Sequence, residues 1–593
     1  MTPPRPAPAA RPTLYLTIFA AWFASLAWFH PRLLALLPLA ESRLATGALL
    51  FFIVFTEIAW LYGFYNVFVV LFAMWYRRRQ RVSPPAPDAP IEGELPRVAM
   101  LYLTCNDFVE ASAASCLAQD YAAYRVYILD DSSDADCRAQ VDAFAARDPE
   151  RIQVVRRSDR RGFKAGNLNH GLASAAVMEP LFAIVDADEI LPADFLTRMV
   201  PRLLGDPSCG YVQANHRCNH RDAGTIAGAV GVGIDIHWRW YHPLRNRWGF
   251  VMLLGHGALI RRQVWEEIGG FPEIVSEDLG FSVRARERGW GGVFADDIVC
   301  LEDFPETMRA FRVRHIKWTR GTCEFFAREM WPVLRAKRMP WVEKLDVLFP
   351  ALSLPLALFY FLFVIDANLL FTMLFSHPRP LTAVLAGHEL VLPMRALDAR
   401  FAVVSSWDFF LVTVLTFVAP VLCFIVELAR TPRELFSFLC RSSVIYSALG
   451  PLSSLGVVGY LLSGTATFLV TGDRGTANTG SPTRRSPAPW RRAVALVRSA
   501  VQTSHPDHPL VQGFEILCGI VFALACLQMG QLSFLGLALG FVMAPVLHHT
   551  PWNHPVIQRL VYVPFTLIMG GLAVGGMGLL GVQTVFFGYG FHF

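Results

Sequence analysis

Long apolar stretches alternate along the chain with segments of mixed character, and this pattern separates membrane-like from soluble parts. A run of about 20 apolar residues can span a bilayer. Before residue 95 the pattern predicts two such helices, near Leu14–Leu37 and within Leu44–Tyr76. After residue 344 it predicts five more, near Val347–Phe375, Asp408–Leu428, Val511–Gln528, Leu532–Leu547 and Val556–Phe587. We therefore expect about seven transmembrane helices.

One apolar stretch does not have the pattern of a simple span. Leu435–Ser463 is interrupted by Arg441, Gly450, Pro451 and several serines, so we expect it to lie along the cytosolic interface. The second predicted span ends in four arginines, and by the positive-inside rule this cluster marks the cytosolic side. The segment that follows it is therefore expected in the cytosol, and the later loop 376–407 on the outer side.

Residues 95–344 contain no stretch long enough to span a membrane. Short apolar runs (VAMLYL, RVYILD, RIQVV, LFAIVDAD, GYVQA) alternate with helix-like stretches such as AAVMEP and ADFLTRMVPRLL. This alternation predicts a mostly parallel sheet with crossover helices, which binds its ligands at the carboxyl ends of the strands. Two acidic clusters follow such ends, Asp130 with Asp131, and Asp186 with Asp188.

The composition supports this division and excludes other classes of protein. Of 593 residues 54% are hydrophobic and 17% charged, which indicates a membrane protein with a soluble part. The net charge of +5 is too small and too dispersed for a nucleic-acid-binding protein. The eleven cysteines are irregularly spaced and include no CxxC, so they predict no disulfide framework and suit a reducing cytosol.

The candidate chemistry begins with the acids of LFAIVDADEI. Two carboxylates spaced as Asp186 and Asp188 after a strand can bring oxygen ligands to one hard cation, Mg²⁺ or Mn²⁺. A plain turn is the alternative, since Asp is common at strand ends. Glu189 is interpreted as a bystander. Upstream, Lys164 in RRGFKAGNLNHG stands beside small residues that allow a pyrophosphate to approach.

Further candidates lie downstream of these acids. Glu277 and Asp278 open a helix-like segment, and RHIKW (Arg314–Trp318) combines two cations with an indole. Taken singly, these have ordinary explanations as N-cap acids, a solvated basic face and a buried tryptophan. NHRCNH raises the possibility of a zinc site through His216, Cys218 and His220. Polar residues at a strand end are the preferred explanation there, and we assign no metal to them.

Acids within or near the apolar runs form another group of candidates. Charged residues inside a membrane are costly to bury in lipid and are therefore often functional. The alternative is that some of them mark helix ends. The group consists of Glu57, Asp366, Glu427 and Glu515.

Taken in order, the motifs resemble those of the membrane-integrated family 2 glycosyltransferases of the cellulose synthase-like type. That family has a D, a DxD, an ED and a QxxRW in a GT-A domain between transmembrane helices. These motifs correspond here to Asp131, Asp186 with Asp188, Glu277 with Asp278, and Arg314–Trp318. LTCND, FKAGNLN, LLGHGALIRR and FLVTGDRG also resemble family segments, and the resemblance covers roughly residues 45–480.

The resemblance implies an α/β GT-A (Rossmann-like) cytosolic domain inserted between transmembrane segments, with interfacial helices. It divides the chain into a disordered N-terminus (1–12), two transmembrane helices (13–80), the glycosyltransferase domain (95–344), transmembrane and interfacial helices (345–466), a gating loop with a polar linker (467–492), and an amphipathic helix with C-terminal transmembrane helices (493–593).

The resemblance also implies roles for individual residues. Asp278 would be the general base, assisted by Glu277, and attack on the anomeric carbon would invert its configuration. Asp186 and Asp188 would hold the Mg²⁺ or Mn²⁺ ion. The donor UDP-sugar would be bound by Thr104, Asp107, Asp131, Lys164, Asp186, Arg314 and Lys317. The acceptor would contact Trp318 and His256, and the gating loop would close over the nucleotide through Phe468, Val470, Thr471 and Arg474.

Departures from the family pattern bear on the product. QxxRW has become RxxKW, with Arg314 for Gln and Lys317 for Arg, so a planar fork is replaced by a point charge at position 317. Gly255-His256-Gly257 departs from the family's Cys-Gly pair, and no PilZ-like stretch follows the gating loop. These differences favour a polymer other than cellulose.

We therefore expect a processive inverting enzyme that polymerises a β-glucan from UDP-glucose, with β-1,3 or mixed β-1,3/1,4 linkages favoured. It would move the growing polysaccharide, its acceptor, across a bacterial inner membrane, with periplasmic export partners and no nucleic acid. The alternatives are a non-processive transferase that glycosylates a lipid, a synthase of cellulose or of an N-acetylglucosamine polymer, and an inactive scaffold.

Overall fold

The computed structural model describes residues 7–82, 93–222, 224–378, 380–385, 388–392, 395–466, 497–529 and 531–579. The predicted gating-loop residues Phe468, Val470, Thr471 and Arg474 lie outside these ranges, as do the rest of 467–492 and the end of the last predicted span. For these residues the sequence-based predictions stand untested.

Two long helices precede the soluble domain: α1 at Thr13–Leu34 and α2 at Arg43–Val82. Residues 7–12, predicted to be disordered, instead lie against the soluble domain. The Ala7 amide donates to the Gly289 carbonyl at 2.9 Å, and the Ala7 carbonyl accepts from Arg286 at 3.1 Å. A buried guanidinium that needs acceptors thus fixes this part of the N-terminus.

The soluble domain is built on eight strands. They are β1 Val98–Thr104, β2 Tyr124–Asp130, β3 Ile152–Val155, β4 Leu181–Asp186, β5 Glu189–Ile190, β6 Cys209–Cys218, β7 Ala258–Arg261 and β8 Gly291–Glu302. They form one sheet in the order β3-β2-β1-β4-β7-β6-β8-β5. The first four in this order are parallel, whereas β7 runs antiparallel to both its neighbours and β5 runs antiparallel to β8. The sheet is therefore mixed rather than mostly parallel.

Helices cover both faces of this sheet, as the fully buried β1 requires. Met100 and Tyr102 pack into one apolar core, while Ala99 and Leu101 pack into another on the opposite face. The domain's helices are α3 Glu110–Leu117, α4 Ala135–Ala145, α5 Phe163–Ala173, α6 Phe195–Leu204, α7 Ile226–Trp248, α8 Arg262–Ile268, α9 Glu277–Arg288 and α10 Met308–Arg335.

One helix prediction in this domain is wrong. AAVMEP was expected to be helical, but the helix of this crossover is α5, which ends at Ala173. Residues 177–179 have no regular structure and lead directly into β4 at Leu181. The Pro180 ring disfavours helical geometry in the residue before it, so the short apolar run is a connection.

The chain after α10 is mainly helical. Its helices are α11 Trp341–Leu352, α12 Leu356–Ile365, α13 Phe371–Phe375, α14 Trp407–Val418, α15 Leu422–Leu428, α16 Pro432–Ser447, α17 Gly450–Ser463, α18 Pro509–Met529, α19 Leu532–His549, α20 Pro555–Leu560 and α21 Tyr562–Leu579. The loop that the sequence predicts on the outer side of the membrane contains short strands. They are Ser376–Pro378, Leu381–Leu385, His388–Leu392 and Arg395–Leu397.

Seven helical segments of the described chain are long and apolar enough to cross a membrane. They are Thr13–Leu39, Arg43–Gln80, Trp407–Leu428, Pro432–Ser463, Pro509–Gln528, Leu532–His549 and Pro555–Met577. The number of these segments agrees with the prediction of about seven, but they are not all the segments that were predicted. The predicted interfacial stretch meets the criterion. The predicted span Val347–Phe375 begins within α11 and continues through α12 to α13. Helices α11 and α12 meet the criterion only as a pair, bent by 53° at a break that contains Pro355, as in a broken span or a re-entrant loop.

Candidate active site

The carboxyl ends of three adjacent strands bring the predicted site residues to one edge of the sheet. Because β1 lies between β2 and β4, its last residue Thr104 is in register with Asp130, and Leu103 is in register with Asp186. The loops after these strands therefore start side by side. Both acidic clusters noticed in the sequence lie on this edge.

At the β2 side of the edge, Asp131 is held by an arginine that the sequence analysis missed. Nε and Nη2 of Arg157 donate to the two carboxylate oxygens of Asp131 at 2.8 and 2.6 Å, and both side chains are less than one tenth exposed. Arg157 also donates to the Phe163 carbonyl at the start of α5. A basic residue directly after β3 was the available sequence signal.

The turn after β1 is closed by its own polar side chains. The Thr104 hydroxyl donates to Oδ1 of Asp107 at 3.0 Å, and the Cys105 amide donates to the same oxygen at 2.6 Å. Asn106 has a φ of 64°, and its side-chain oxygen accepts from the amides of Ser133 and Asp134. Burial raises the pKa of Asp107. Thr104, Asp107 and Asp131 thus lie together at the carboxyl ends of β1 and β2.

Lys164 is the central cation of the site. Its Nζ lies 2.6 and 2.8 Å from the two carboxylate oxygens of Asp186. Gly255 has a φ of 90°, and a Cβ built there would lie 3.3 Å from Oδ2 of Asp278 and 3.5 Å from Nζ of Lys164. The positive φ favours a glycine at this position, and a Cβ there would also be in tight contact with the Asp278 carboxylate. Lys164, Asp186, Asp278 and Gly255 therefore converge on one point.

The two predicted catalytic acids begin helix α9 and differ in exposure. Glu277 is buried, while Asp278 is half-buried and accepts the Leu279 amide at 2.7 Å. Burial and the charge of Asp278 raise the pKa of Glu277 to about 8. Burial also raises the pKa of Asp278, although the Leu279 amide and the Lys164 charge oppose it. Asp278 is the more accessible proton acceptor.

The chemistry of the DxD pair fits a divalent cation. Asp188 reaches solvent within the cleft, and desolvation by the surrounding protein together with the Asp186 charge raises the pKa of its carboxyl. Two like-charged carboxylates in one cleft favour a bound cation, and both offer the oxygen ligands that Mg²⁺ and Mn²⁺ prefer. In this structure Lys164 neutralises Asp186.

Next to the DxD pair lies a buried carboxylate–imidazole network, in which Glu189, the expected bystander, has a structural role. The Glu189 side chain is fully buried; it contacts Nε2 of His216 at 2.9 Å and accepts the Gly257 amide at 3.0 Å. His256 lies 3.4 Å from Glu189 on one side and 3.4 Å from Glu302 on the other. Burial lowers the pKa of His256, but these carboxylates outweigh it and raise the pKa to about 10.

The same network contains His216, one of the three residues of NHRCNH that raised the possibility of a zinc site. Potential ligand atoms of His216 lie within 4.8 Å of those of Glu189 and Cys300, or of His256 and Glu302. The His216 and His256 rings, however, are stacked 4.3 Å apart at an angle of 18°. Lone pairs lie in the ring plane, so nearly parallel rings do not direct two nitrogens at one ion. Cys218 and His220 belong to neither cluster of the described residues.

Helix α10 brings Lys317 of the RHIKW segment near Lys164 and Asp186. The Arg314 guanidinium lies 4.1 Å from the Phe304 ring and 4.6 Å from the Trp318 ring. The Trp318 side chain is 47% exposed. Burial, followed by the like charge of Lys164, lowers the pKa of Lys317, so Lys317 shares the charged environment of the centre.

Three of the four acids noticed in apolar runs have charged or imidazole partners. Glu57 contacts Nδ1 of His30 at 2.7 Å, Glu427 pairs with Arg77 at 3.1 Å, and Glu515 pairs with Arg312. Neither carboxylate oxygen of Asp366 has a hydrogen-bond partner among the described residues.

The segment that builds this site has recognisable relatives. Residues 106–321 match the family described as "Glycosyltransferase like family 2". This segment is a family 2 glycosyltransferase domain, and its mixed-sheet α/β fold is GT-A-like.

Curated relatives of the chain include plant proteins. "Probable glucomannan 4-beta-mannosyltransferase 6" of Oryza sativa subsp. japonica is 28% identical over 335 residues, which cover 54% of this chain and 58% of the relative. "Glucomannan 4-beta-mannosyltransferase 1" of Cyamopsis tetragonoloba is 28% identical over 230 residues, 38% of this chain and 44% of the relative. The chain thus spans about half the length of these relatives.

Among solved structures, "Mannosyltransferase PcManGT from Pyrobaculum calidifontis in complex with GDP-Man and Mn2+" is similar with a TM-score of 0.37 and 22% identity, covering 50% of this chain and 81% of that one. S. aureus TarS 1-349 in complex with UDP-GlcNAc has a TM-score of 0.31 and 11% identity, covering 51% and 96%.

Proposed function

We propose that the protein is a membrane-embedded, inverting β-glycosyltransferase that extends a polysaccharide with hexose units from a nucleotide-diphosphate donor. The observation that supports this most strongly is the convergence at Gly255: Asp278 and the Lys164–Asp186 pair border the same point. A general base and a diphosphate-binding cation are thereby within reach of one sugar.

The reaction follows from the chemistry of these groups. Asp278 takes the proton of the acceptor hydroxyl, whose oxygen forms a bond to the anomeric carbon on the face opposite the leaving group. The bond from that carbon to the diphosphate oxygen breaks, and its electron pair leaves with the nucleotide diphosphate. One displacement inverts the configuration, so an α-linked donor gives a β-linked product. Lys164, Lys317 and Arg314 stabilise the charge that develops on the leaving group.

We assign Mg²⁺ or Mn²⁺ to Asp186 and Asp188. When bound, the cation offsets the negative charge of the donor diphosphate. On this side of the cleft, Thr104, Asp107 and Asp131 hold the nucleoside, and Arg157 holds Asp131.

Separate observations favour two donors. The order of motifs resembles that of cellulose synthases and favours UDP-glucose and a β-glucan. The names of the plant relatives favour a mannosyl unit added in β-1,4 linkage, as in glucomannan. Lys317 in place of the family arginine lies beside the leaving group and fits either diphosphate. We therefore take glucose and mannose as the two candidate sugars.

The acceptor side favours a long product over a glycolipid. Trp318 offers a half-exposed indole face on which an acceptor sugar can stack, and the seven apolar helices offer a route through a bacterial inner membrane. An enzyme that glycosylates a lipid would use the same donor site, so a glycolipid is the competing product.

The experiment is a donor and product assay on the purified full chain in lipid nanodiscs. Labelled UDP-glucose and GDP-mannose are supplied separately with Mg²⁺ or Mn²⁺, and the products are separated by chloroform extraction and by size. We expect one donor to give an ethanol-insoluble polymer that depends on the cation. Label found solely in the chloroform phase, with one or two sugars, would refute the polymer; incorporation of neither hexose would refute the proposed function.

A further inference from the structure

Helix α10 separates the catalytic site from the membrane helices, and its two faces have different partners. With 3.6 residues per turn, Arg312, Ile316 and Thr319 share one face, whereas Lys317 and Gly321 share the opposite one. Arg314 and Trp318 flank this second face. A Cβ at Gly321 would lie 2.8 Å from Val275 and 3.3 Å from the Ser276 hydroxyl, directly before the catalytic acids.

The first face carries a fully buried ion pair with a helix outside the matched glycosyltransferase segment. Nη2 of Arg312 donates to both carboxylate oxygens of Glu515 in α18, at 2.5 and 2.6 Å, and both side chains have no exposed surface. Nη1 of Arg312 lies 3.4 Å from the Ala544 carbonyl of α19. Arg312 therefore joins the site helix to two of the C-terminal apolar helices.

Other polar contacts lie on either side of this face further along α10. His315 contacts the Ser453 hydroxyl of α17 at 2.6 Å, and Arg320 donates to the Ser463 hydroxyl at 3.0 Å and the Thr465 carbonyl at 2.7 Å. Gly456 of α17 allows close approach, since a Cβ there would lie 2.6 Å from Ile316. These contacts all lie on the membrane side of α10.

We infer that the Arg312–Glu515 pair is a positioning pair: it fixes the register of α10 against the C-terminal helices and thereby places Arg314, Lys317 and Trp318 at the site. Glu515 of α18 then positions the site from outside the matched segment. The kinetic test of this inference rests on the proposed function, because it measures the kcat of glycosyl transfer.

A positioning role explains why the contact is ionic rather than apolar. Two charges lose their hydration when they are buried, and apolar residues of similar size are often at least as stabilising. An apolar contact tolerates sliding along the helix axis, whereas a guanidinium and a carboxylate must meet at one register. The pair is thus suited to fixing the position of α10 along the neighbouring helices rather than to strengthening their contact.

The test separates alignment from stability with two variants of the full chain in nanodiscs. Glu515→Gln leaves the Arg312 charge buried without its counter-charge, so we expect a lowered Tm. The double variant Arg312→Met/Glu515→Leu removes both charges, and we expect a near-normal Tm. For the double variant we further expect kcat to fall by about tenfold to about a hundredfold and hydrogen exchange to rise in residues 313–321.

The matched control is Asp507→Asn. Asp507 pairs with Arg309 of α10, and both side chains are about one-third exposed. This variant should keep normal kcat and exchange. Normal kcat and exchange in the Arg312→Met/Glu515→Leu protein would overturn the inference, as would failure of that protein to assemble. If the wild type transfers neither hexose, the proposed function fails, while the exchange data still test the pair.

Discussion

Asp278 combines partial exposure with a raised pKa, which is suitable for a base that must reach an acceptor hydroxyl. Asp278→Asn keeps the shape of the side chain and removes its basicity, so we expect kcat to fall by about 10²–10⁴-fold. Glu277→Gln, at the buried neighbour, should have a smaller effect. The measurement is initial transfer rate at saturating donor; equal losses in both variants would contradict the assignment of the base.

The raised pKa of Asp278 also predicts the pH dependence. The base acts in its deprotonated form, so activity should rise with pH, and burial moves this limb above the ordinary carboxyl value of 3.8. We expect kcat/KM measured from about pH 5 to about pH 9 to increase through the lower part of this range. A flat profile over the whole range would contradict the assignment of Asp278 as the base.

Glu189 shows how a residue next to a recognised motif can have a separate structural role. Its carboxylate is shared by His216, His256 and the Gly257 amide. Glu189→Gln removes one of the two carboxylates beside the charged His256 imidazole. We expect the free energy of unfolding to fall by about 1–3 kcal/mol. Glu266→Gln, which loses a surface pair with Arg262, should change stability by less than about 0.5 kcal/mol. Similar thermal unfolding of both variants would rule out the network.

At the scale of elements, the loop between β3 and α5 organises the nucleotide side. Arg157→Lys retains the charge but loses the two-pronged contact to Asp131, so we expect the donor KM to rise by about tenfold with a smaller change in kcat. Arg161→Lys in the same loop is the control, because that side chain is 84% exposed. A wild-type donor KM in the Arg157→Lys enzyme would show that Asp131 does not depend on this contact.

The strands and their acidic ends were predictable from sequence because β1, β2 and β4 are continuous apolar runs that end in polar residues. The two-residue β5 was not, since neither length nor periodicity marks it. Its pairing with β8 places Glu189 opposite Glu302, and the alignment of β6 with β8 places His216 opposite Cys300. The network around His256 therefore depends on long-range pairing that no local pattern reports.

At the scale of the whole molecule, apolar runs reported helix lengths well but not how the helices pack. Leu435–Ser463 was assigned to the interface because of its serines, proline and arginine. In the structure, Ser453 and Ser463 instead contact His315 and Arg320 of α10. Polar residues in an apolar helix thus indicated a protein contact, and the partner was a helix more than a hundred residues away.

Helix α10 contacts the long apolar helices and also carries Arg314, Lys317 and Trp318, so under the proposed function one element would link catalysis to product passage. The curated relatives are named for a mannosyl transfer, and the motif order resembles that of glucan synthases. These alternatives agree that the new linkage is β. The configuration of the product is therefore the property that tests the account independently of the sugar.

The most direct measurement is the anomeric configuration of the polymer made from ¹³C-labelled donor by the full chain in nanodiscs. The one-bond coupling between C1 and H1 distinguishes α from β linkages for both glucose and mannose. We predict β linkages in the wild-type product and no product from Asp278→Asn. An α-linked product would contradict inversion by Asp278, and so would undiminished synthesis in the Asp278→Asn variant.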